Sequence, residues 1–300
     1  MKKQKEIKNL PASVREKLRN ISIEGKKDFQ SVLRQYIQER FLYRVSQSFY
    51  ADTLILKGAL LFLAYNISRL RPTRDIDFLV NSISNEQEDL KNIVKEILSI
   101  IFNDGLTFDK DDIVAENIVE DEKYHEVRVK FNCYLGNARE RIQVDFGFGD
   151  EIIAGPVEIL YPTLLDFPAP KLKVYSIESA IAEKFEAMVS INQATSRMKD
   201  FYDVMFFASD YKFNKRVLKE AIIATFKNRN TDYDTKSLIF GNDFKKNPQK
   251  QQYWLAFLKR NKLNANEDFA FVVEKIQTFI EPIFIENNMN SWNKDNWQWE

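Results

Sequence analysis

The spacing of apolar positions changes several times along the chain, and each spacing predicts a different kind of element. Apolar residues three or four apart predict two helices over 11–47 and a further helix over 86–102. Over 126–147 apolar and polar residues alternate, which is typical of strands with one buried face. The short apolar runs at 53–58 and 76–80 have the length of strands. This part of the chain therefore predicts a mixed sheet with helices packed against it.

The pattern becomes mainly helical after a proline-bearing stretch over 156–170. We predict an α+β protein, with an α/β domain over 1–165 and a helical domain over 166–300. The helical domain is expected to complete an active-site cleft, because clefts between such halves are common ligand sites. The tryptophan-rich end, 290–300, has no periodicity and either folds back or binds a partner. Helices are predicted over 176–193, 197–209, 215–227, 249–260 and 266–287.

Composition narrows the range of partners and the cellular compartment. The 44 basic and 44 acidic residues cancel, so any contact with nucleic acid must come from local patches rather than from an overall field. The single cysteine, Cys133, cannot form an intramolecular disulfide, which suits a reducing cytosol. No apolar run approaches the roughly 20 residues of a membrane span. We therefore expect a cytoplasmic protein without a membrane partner.

Two carboxylates occupy one face of the strand predicted at 76–80. Asp75 and Asp77 are two residues apart and point the same way, while Ile76 and Phe78 point to the other face. Strands disfavour aspartate, and like charges on one face repel each other. A hard divalent cation between the carboxylates would remove this repulsion. The alternative is that both carboxylates form solvated ion pairs with neighbouring arginines, and a bare Asp-x-Asp does not exclude it.

A third carboxylate occupies the polar face of a later strand. Asp145 opposes the apolar residues Val144 and Phe146, so it projects from the same kind of sheet surface. Three acidic residues on adjacent strands can hold Mg²⁺ ions and support an in-line phosphoryl displacement. The metal ligands predicted from the sequence are Asp75, Asp77 and Asp145.

The helical domain carries one cation and two carboxylates at informative positions. Lys184 lies on an apolar helical stripe, between Ile181 and Met188. It either extends its ammonium to water or faces a polar cleft where the ammonium can meet triphosphate oxygens. On the next helix Asp200 and Asp203 are three apart and lie side by side. These carboxylates either form ordinary pairs with nearby Arg197 and Lys199 or belong to a site.

Several blocks of the sequence resemble a known family. The stretch "LKGALLFLAYNISRLRPTRDIDFLV" resembles the first motif of the nucleotidyltransferase superfamily, in which a glycine turn and a helix precede an Asp-x-Asp strand. Together with "IQVDFGFGD" and "YSIESAIAEKFEAMVSINQATSRMKDFYDVMFF", the wording resembles the AbiEii-type toxins of bacterial type IV toxin–antitoxin systems. The blocks occur in order from about residue 10 to 210. The resemblance implies a nucleotidyltransferase-like fold in the first domain.

The resemblance also implies an activity. It would be a Mg²⁺-dependent transfer of a nucleotide from an NTP to an acceptor, with tRNA as the acceptor and with release of pyrophosphate. The chain would be the toxin of a pair, and a cognate antitoxin would be encoded alongside it. Asp203 is the second candidate on its helix and Asp145 a third acidic position. The catalytic residues that the resemblance implies are Asp75, Asp77, Lys184 and Asp200.

Nucleotide binding is expected around the glycine turn. The superfamily usually has serine after this glycine, whereas Ala59 follows Gly58 here, so phosphates must bind to backbone amides. Lys57 could reach the phosphates, although a lysine at the end of a strand is common. Arg74 could contact nucleotide or RNA backbone, or could serve solubility, and both alternatives stay open. With Lys184, these residues form the predicted nucleotide-binding set: Lys57, Gly58, Arg74 and Lys184.

Two other functions compete with a tRNA-modifying toxin. A small-molecule acceptor would make the chain similar to the aminoglycoside nucleotidyltransferases of the same superfamily. A binding module could also keep the fold without catalysis, but the intact carboxylates and Lys184 count against it. The ordered blocks favour the toxin over the small-molecule enzyme.

Overall fold

A computed structural model describes the chain over residues 9–65, 73–80, 82–118, 126–153, 155–263 and 267–300. The chain forms two compact units. Unit 1 comprises Met1–Gly149 and Val157–Val174, and unit 2 comprises Asp150–Pro156 and Tyr175–Glu300. Residue 165, where the sequence suggests a boundary, lies within unit 1.

Unit 1 is built on a mixed sheet. In the described part of the chain it has eight strands in the order β3-β5-β6-β2-β1-β8-β7, with β4 also paired to β5. The predicted α+β class, with a mixed sheet and helices followed by a mainly helical part, is confirmed. The helices are α1 (Leu10–Glu24), α2 (Phe29–Ser46), α3 (Leu61–Ala64) and α4 (Gln87–Leu98). The strands are β1 (Leu54–Lys57), β2 (Asp75–Val80), β3 (Leu106–Phe108), β4 (Val114–Ile118), β5 (Glu126–Leu135), β6 (Ala138–Phe148), β7 (Val157–Leu160) and β8 (Lys171–Val174).

The centre of the sheet has one buried and one polar face. Strand β2 pairs parallel with β6 and antiparallel with β1, and β5 pairs antiparallel with β6. On the buried face Phe78 stacks on Phe146 with ring centroids 6.1 Å apart, and both side chains are fully buried. Since side chains alternate along a strand, the residues between these apolar positions point to the opposite face. The predicted period-two pattern of β2 and β6 thus fixes which face carries the carboxylates.

Helix α2 buries charged side chains that its sequence pattern places on a polar face. Arg44 donates from Nη1 to Oδ2 of Asp104 at 2.7 Å and from Nη2 to Oδ1 at 3.2 Å. The Nε atom of Arg40 lies 3.6 Å from Asp104 Oδ2, and its guanidinium lies 4.4 Å from the centre of the Tyr43 ring. A buried charge is tolerated when it is paired and hydrogen-bonded, as Arg44 is, and Arg40 donates from Nη1 to the carbonyl of Pro168 at 3.0 Å. Helix α2 is therefore tied to the loop that carries Asp104 by buried, charged contacts.

Glu39, also on α2, is buried under conditions that disfavour its ionised form. Its Oε2 accepts a hydrogen bond from the backbone N–H of Leu164 at 2.7 Å, and the side chain is almost fully buried. Burial raises the pKa of Glu39 from the ordinary value of 4.5 to about 7, against the opposing effects of this hydrogen bond and of Arg40. The carboxyl group is thus partly protonated near neutral pH.

We expect unit 1 to become less stable relative to a Glu39→Gln variant as the pH rises from 5 to 8. The folded state holds this proton more tightly than the unfolded state, so between the two pKa values its stability falls with rising pH. The glutamine amide does not titrate but can still accept from Leu164. The difference in free energy of unfolding between the two proteins should change by about 2–3 kcal/mol over this range.

Hydrogen exchange of the β5 and β6 amides measures this difference within unit 1. The ratio of the two proteins' exchange rates at one pH cancels the intrinsic pH dependence of exchange. All four tryptophans lie in unit 2, so their fluorescence is recorded separately as a readout of that unit. A ratio that is equal at pH 5 and pH 8 would contradict the assignment of a raised pKa to Glu39.

Unit 2 is mainly helical. The helix predicted over 266–287 is too long: α11 ends at Ile280, and a 3₁₀ turn follows over Glu281–Phe284. Pro282 explains the end, because proline lacks the N–H and clashes with the preceding turn of a helix. No helix in the described ranges is long and apolar enough to cross a membrane. The helices are α5 (Ile177–Ile191), α6 (Met198–Asp210), α7 (Lys215–Asn228), α8 (Ser237–Phe240), α9 (Asn242–Lys245), α10 (Pro248–Asn261) and α11 (Phe269–Ile280).

The tryptophan-rich end folds back onto unit 2. It forms a small hairpin of β9 (Trp292–Asn293) and β10 (Gln298–Trp299). The Trp292 indole donates to the carbonyl of Ala208 at 2.8 Å, and the Trp299 indole donates to the carbonyl of Phe279 at 2.8 Å. Both rings are buried. These bonds join the end of the chain to α6 and α11, which answers the question that the sequence left open.

Candidate active site

Four charged residues form one row across the polar face of the sheet in unit 1. Lys57 on β1 is in register with Asp77 on β2, Asp77 with Asp145 on β6, and Asp145 with Arg128 on β5. Residues in register on paired strands point to the same face. The row therefore reads cation, carboxylate, carboxylate, cation. Lys57 and Asp145 are each 8% exposed, so part of the row is shielded from water.

Hydrogen bonds connect the carboxylates of this face. Arg128 donates to Asp145 through two bonds, from Nε to Oδ1 at 2.9 Å and from Nη2 to Oδ2 at 2.8 Å. These bonds raise the pKa of the Arg128 guanidinium above its ordinary value, against the opposing effect of burial. Gln143, in register with Asp75, donates from Nε2 to Asp75 Oδ1 at 2.6 Å. The same Nε2 lies 3.5 Å from Asp145 Oδ2.

The turn after β1 requires glycine. Gly58 has φ +72°, and a Cβ atom built there would lie 1.9 Å from Oδ2 of Asp77. The Asp77 carboxylate therefore lies directly against the turn to which the sequence assigns phosphate binding. The Lys57 ammonium lies on the same face, since a Cβ atom at Gly147 would be 3.2 Å from its Nζ. The structure thus brings Lys57, Gly58 and Asp77 together.

Arg74 lies immediately before β2, and its side chain is exposed. Its backbone carbonyl accepts a hydrogen bond from Nε2 of Gln38 at 3.3 Å, which ties the start of β2 to α2. An exposed guanidinium is compatible with contact to nucleotide or RNA and equally with a role in solubility. Both alternatives from the sequence are retained.

The candidates of the helical part form a second group, within unit 2. The Lys184 ammonium donates to Oδ2 of Asp203 at 2.7 Å and lies 3.5 Å from Oδ1 of Asp200. Arg197 donates from Nε to Oδ2 of Asp200 at 2.8 Å. Both carboxylates are almost fully buried. Burial raises the pKa of Asp200, but Lys184 and then Arg197 outweigh it and hold the pKa below its ordinary value.

This geometry refines two alternatives that the sequence leaves open. The Lys184 side chain is 12% exposed and its ammonium meets two buried carboxylates, so it does not extend to water as a surface lysine would. The ordinary pair of Arg197 with Asp200 is also present. Asp203, the second candidate on α6, makes the shorter contact with Lys184. Lys184, Asp200 and Asp203 therefore belong to one charged cluster.

A second buried network holds α5, the helix that carries Lys184. Arg229 donates from Nη1 to Oε2 of Glu186 on α5 at 2.9 Å and from Nη2 to Oδ1 of Asp150 at 3.1 Å. Thr231 donates its hydroxyl to Oε1 of Glu186. All of these residues belong to unit 2. The network connects α5, through Glu186, to the end of α7 and to Asp150.

The loop between α5 and α6 is fixed by a buried lysine. The Lys250 ammonium donates to the backbone carbonyls of Gln193 at 2.7 Å and Thr195 at 2.6 Å. Lys250 is 3% exposed, and burial lowers its pKa. Since the loop leads directly to Arg197, these bonds set the start of α6 and thereby the position of Asp200.

The carboxylates of unit 1 fit a divalent cation as a pair. In the described ranges, no group of three or more His, Cys, Asp or Glu side chains is arranged to hold a metal ion. Mg²⁺, however, is usually held by only one or two carboxylates, together with phosphate oxygens of its substrate and water. Asp75 and Asp77, two apart on one strand face, supply that donor set. Asp145, predicted as a third ligand, is engaged by Arg128.

The roles of two residues on this face could not be predicted from the sequence. Arg128 and Gln143 both occupy polar positions of alternating strands, so the pattern indicates their face but not their partners. Their partners follow from the register of β5, β6 and β2, which hydrophobic periodicity does not specify. The sequence therefore shows the carboxylates but misses the side chains that hold them.

Comparisons with known proteins agree with this fold. The family model "Nucleotidyl transferase AbiEii toxin, Type IV TA system" matches residues 40–275. MenT4, a nucleotidyltransferase toxin from Mycobacterium tuberculosis, is structurally similar, with a TM-score of 0.56, 17% identity, and coverage of 96% of this chain and 92% of that chain. JHP933 from Helicobacter pylori has a TM-score of 0.51, 17% identity, and coverage of 85% and 92%. No curated protein matches the chain.

At such low sequence identities the solved structures show only that the fold is similar, whereas the family model shows family membership. Its match covers most of the chain, including β2, β6, α5 and α6. The chain belongs to the AbiEii nucleotidyl transferase toxin family of type IV toxin–antitoxin systems and is a nucleotidyltransferase.

Proposed function

We propose that this toxin uses Mg²⁺ to transfer a nucleotide from an NTP to a hydroxyl group of tRNA in the cytoplasm, releasing pyrophosphate. A cognate antitoxin encoded alongside it would prevent this modification. The row that Lys57, Asp77, Asp145 and Arg128 form, with Asp75 on the same face, carries the proposal. It combines Asp75 and Asp77 as carboxylates for a metal with Lys57 as a cation for phosphates at the turn of Gly58.

Asp75 and Asp77 would hold the Mg²⁺ ion. When bound, the ion neutralises charge on the phosphates and orients them for in-line attack. Lys57, next to Gly58, is placed to bind phosphate oxygens, and backbone amides at the turn add further donors. Exposed Arg74 would contact the nucleotide or the acceptor RNA.

Lys184 and Asp200 are the proposed catalytic residues of unit 2. The AbiEii resemblance assigns a catalytic lysine to the block "AEKFEA" and an aspartate to the block "RMKDFYD". The local geometry supports this proposal, because the ammonium is held in a defined position by Asp203 at 2.7 Å. A charge that is already positioned stabilises a transition state without the cost of reorganisation. The predicted completion of the cleft by the helical domain remains a prediction.

The experiment that tests the function asks which molecule takes label. Purified protein is incubated with total RNA, Mg²⁺ and each of the four α-labelled NTPs in turn. We expect one NTP to label RNA of tRNA size, and an Asp77→Asn variant to give none. Label on an added aminoglycoside but not on RNA would instead support the small-molecule enzyme.

Growth of bacteria provides a second readout of the same proposal. Expression of the chain without an antitoxin should slow growth, and the Asp77→Asn variant at matched expression should not. Equal growth of the two strains would contradict a toxin that acts through this site.

A further inference from the structure

Asp145 is bound on the side away from β2 by a guanidinium. Both of its oxygens accept from Arg128, at 2.9 and 2.8 Å, and the carboxylate is 8% exposed. Paired, planar bonds of this kind are the strongest geometry available to arginine and a carboxylate. A metal ion on the same carboxylate would lie beside the positive charge of Arg128. The structure therefore favours Asp145 as a partner of Arg128 over Asp145 as a metal ligand.

Gln143 links this pair to the metal carboxylates. It lies two residues before Asp145 on β6 and so shares its face. Its Nε2 donates to Asp75 Oδ1 at 2.6 Å and lies 3.5 Å from Asp145 Oδ2. An amide group has two N–H donors and can serve two carboxylates. The result is a continuous path over three strands, from Arg128 through Asp145 and Gln143 to Asp75.

We propose that Arg128, acting through Asp145, and Gln143, acting directly, are positioning residues for Asp75, and that Asp75 and Asp77 alone supply carboxylates to the metal. Arg128 fixes Asp145, and Asp145 together with Asp75 fixes the Gln143 amide. The amide holds one oxygen of Asp75 and thereby orients the other. This inference rests on the proposed metal-dependent function, and it replaces Asp145 as a third ligand. Hydrogen bonds of this kind around metal ligands commonly decide metal affinity.

The two roles of Asp145 predict opposite effects of removing Arg128. If Asp145 were a ligand, Arg128 would compete with the metal, and an Arg128→Met variant would bind metal more tightly. If Asp145 is an anchor, the same variant loses the fixed end of the path and binds metal more weakly. The methionine keeps the apolar stem of arginine and removes only the charged group.

The test is the binding of Mn²⁺ to the full chain, followed by electron paramagnetic resonance, together with the Mg²⁺ dependence of nucleotide transfer. We expect Arg128→Met to raise the dissociation constant of Mn²⁺ about 10-fold or more, and Arg128→Lys to lie between it and the wild type. Asp145→Asn should also raise the dissociation constant of Mn²⁺. The double variant should bind Mn²⁺ no more weakly than the single variant with the lower affinity, because both changes break one path.

A matched control is Arg34→Met, which removes an arginine paired with Glu140 on the opposite face of β6. It should leave Mn²⁺ binding unchanged. Tighter Mn²⁺ binding by Arg128→Met, or additive losses of Mn²⁺ affinity in the double variant, would overturn the inference. The proposed function would still stand if the wild type transfers nucleotide. If the wild type neither binds Mn²⁺ nor transfers nucleotide, the proposed function fails as well.

Gln143→Leu gives an independent test if the Arg128 variants do not fold. It removes the amide from the middle of the path and leaves every charge in place. Weaker Mn²⁺ binding supports the proposal, and unchanged binding overturns it.

Discussion

Replacing Asp77 with asparagine is expected to reduce nucleotide transfer by about 1,000-fold or more, and Asp75→Asn should act similarly. Loss of a ligand carboxylate removes several kcal/mol of transition-state stabilisation that the metal would supply, and each 1.36 kcal/mol corresponds to a factor of ten. The fold should persist. Asparagine keeps the shape that fits against Gly58, and removing one of two like charges on a strand face relieves their repulsion. Label transfer to RNA and hydrogen exchange of β5 and β6 measure the two effects.

Asp112→Asn is the control for this experiment. Asp112 is a half-exposed carboxylate of unit 1 that pairs with Arg141, and it lies outside the row. Its replacement should leave transfer close to the wild-type rate. Transfer by Asp77→Asn that stays within a few-fold of the wild type would remove the metal pair from the site.

The face of each carboxylate could be predicted from the sequence, because it depends only on local alternation. Asp75 and Asp77 flank Ile76, and Asp145 follows Val144, so side-chain alternation alone places the carboxylates on the polar face. That β2 and β6 are parallel neighbours could not be predicted in the same way. A long stretch of chain separates them, and their pairing depends on packing of the whole sheet.

The burial of charged residues could not be predicted from the sequence. On α2 the positions of Glu39, Arg40 and Arg44 are polar in the pattern, and polar positions on an amphipathic helix ordinarily face water. In the fold Asp104 supplies a carboxylate for both arginines. A partner so distant in sequence helps to make this burial acceptable, and no local pattern reveals it.

Lys184 shows the same limit in the second unit. Its place on an apolar stripe is compatible with a surface lysine and with a buried one, and the choice depends on what α6 presents to it. In the structure α6 presents Asp200 and Asp203, whose carboxylates lie close to the Lys184 ammonium. Because both carboxylates are buried, the lysine now has a structural role that any test of catalysis must separate from its chemical one.

Lys184→Met is expected to lower both stability and activity. The methionine leaves Asp200 and Asp203 with less positive charge, and removing one partner of a buried ion pair costs about 3–5 kcal/mol. The pKa of Asp200, which Lys184 helps to hold down, should rise. Tryptophan fluorescence during urea unfolding reports on unit 2, where all four tryptophans lie. A loss of transfer in this variant alone would therefore not distinguish catalysis from folding.

A compensating variant makes that distinction. Lys184→Met combined with Asp203→Asn removes one positive and one negative charge, so the cluster is balanced again and most of the stability should return. If the ammonium stabilises charge on the triphosphate, transfer by the double variant should stay about 10- to 1,000-fold below that of Asp203→Asn alone. This loss corresponds to one charge-assisted contact that strengthens in the transition state. If Lys184 only holds α6 in place, the double variant should match Asp203→Asn in both stability and transfer. That match would assign Lys184 to the structure of unit 2 and remove it from the proposed catalytic residues.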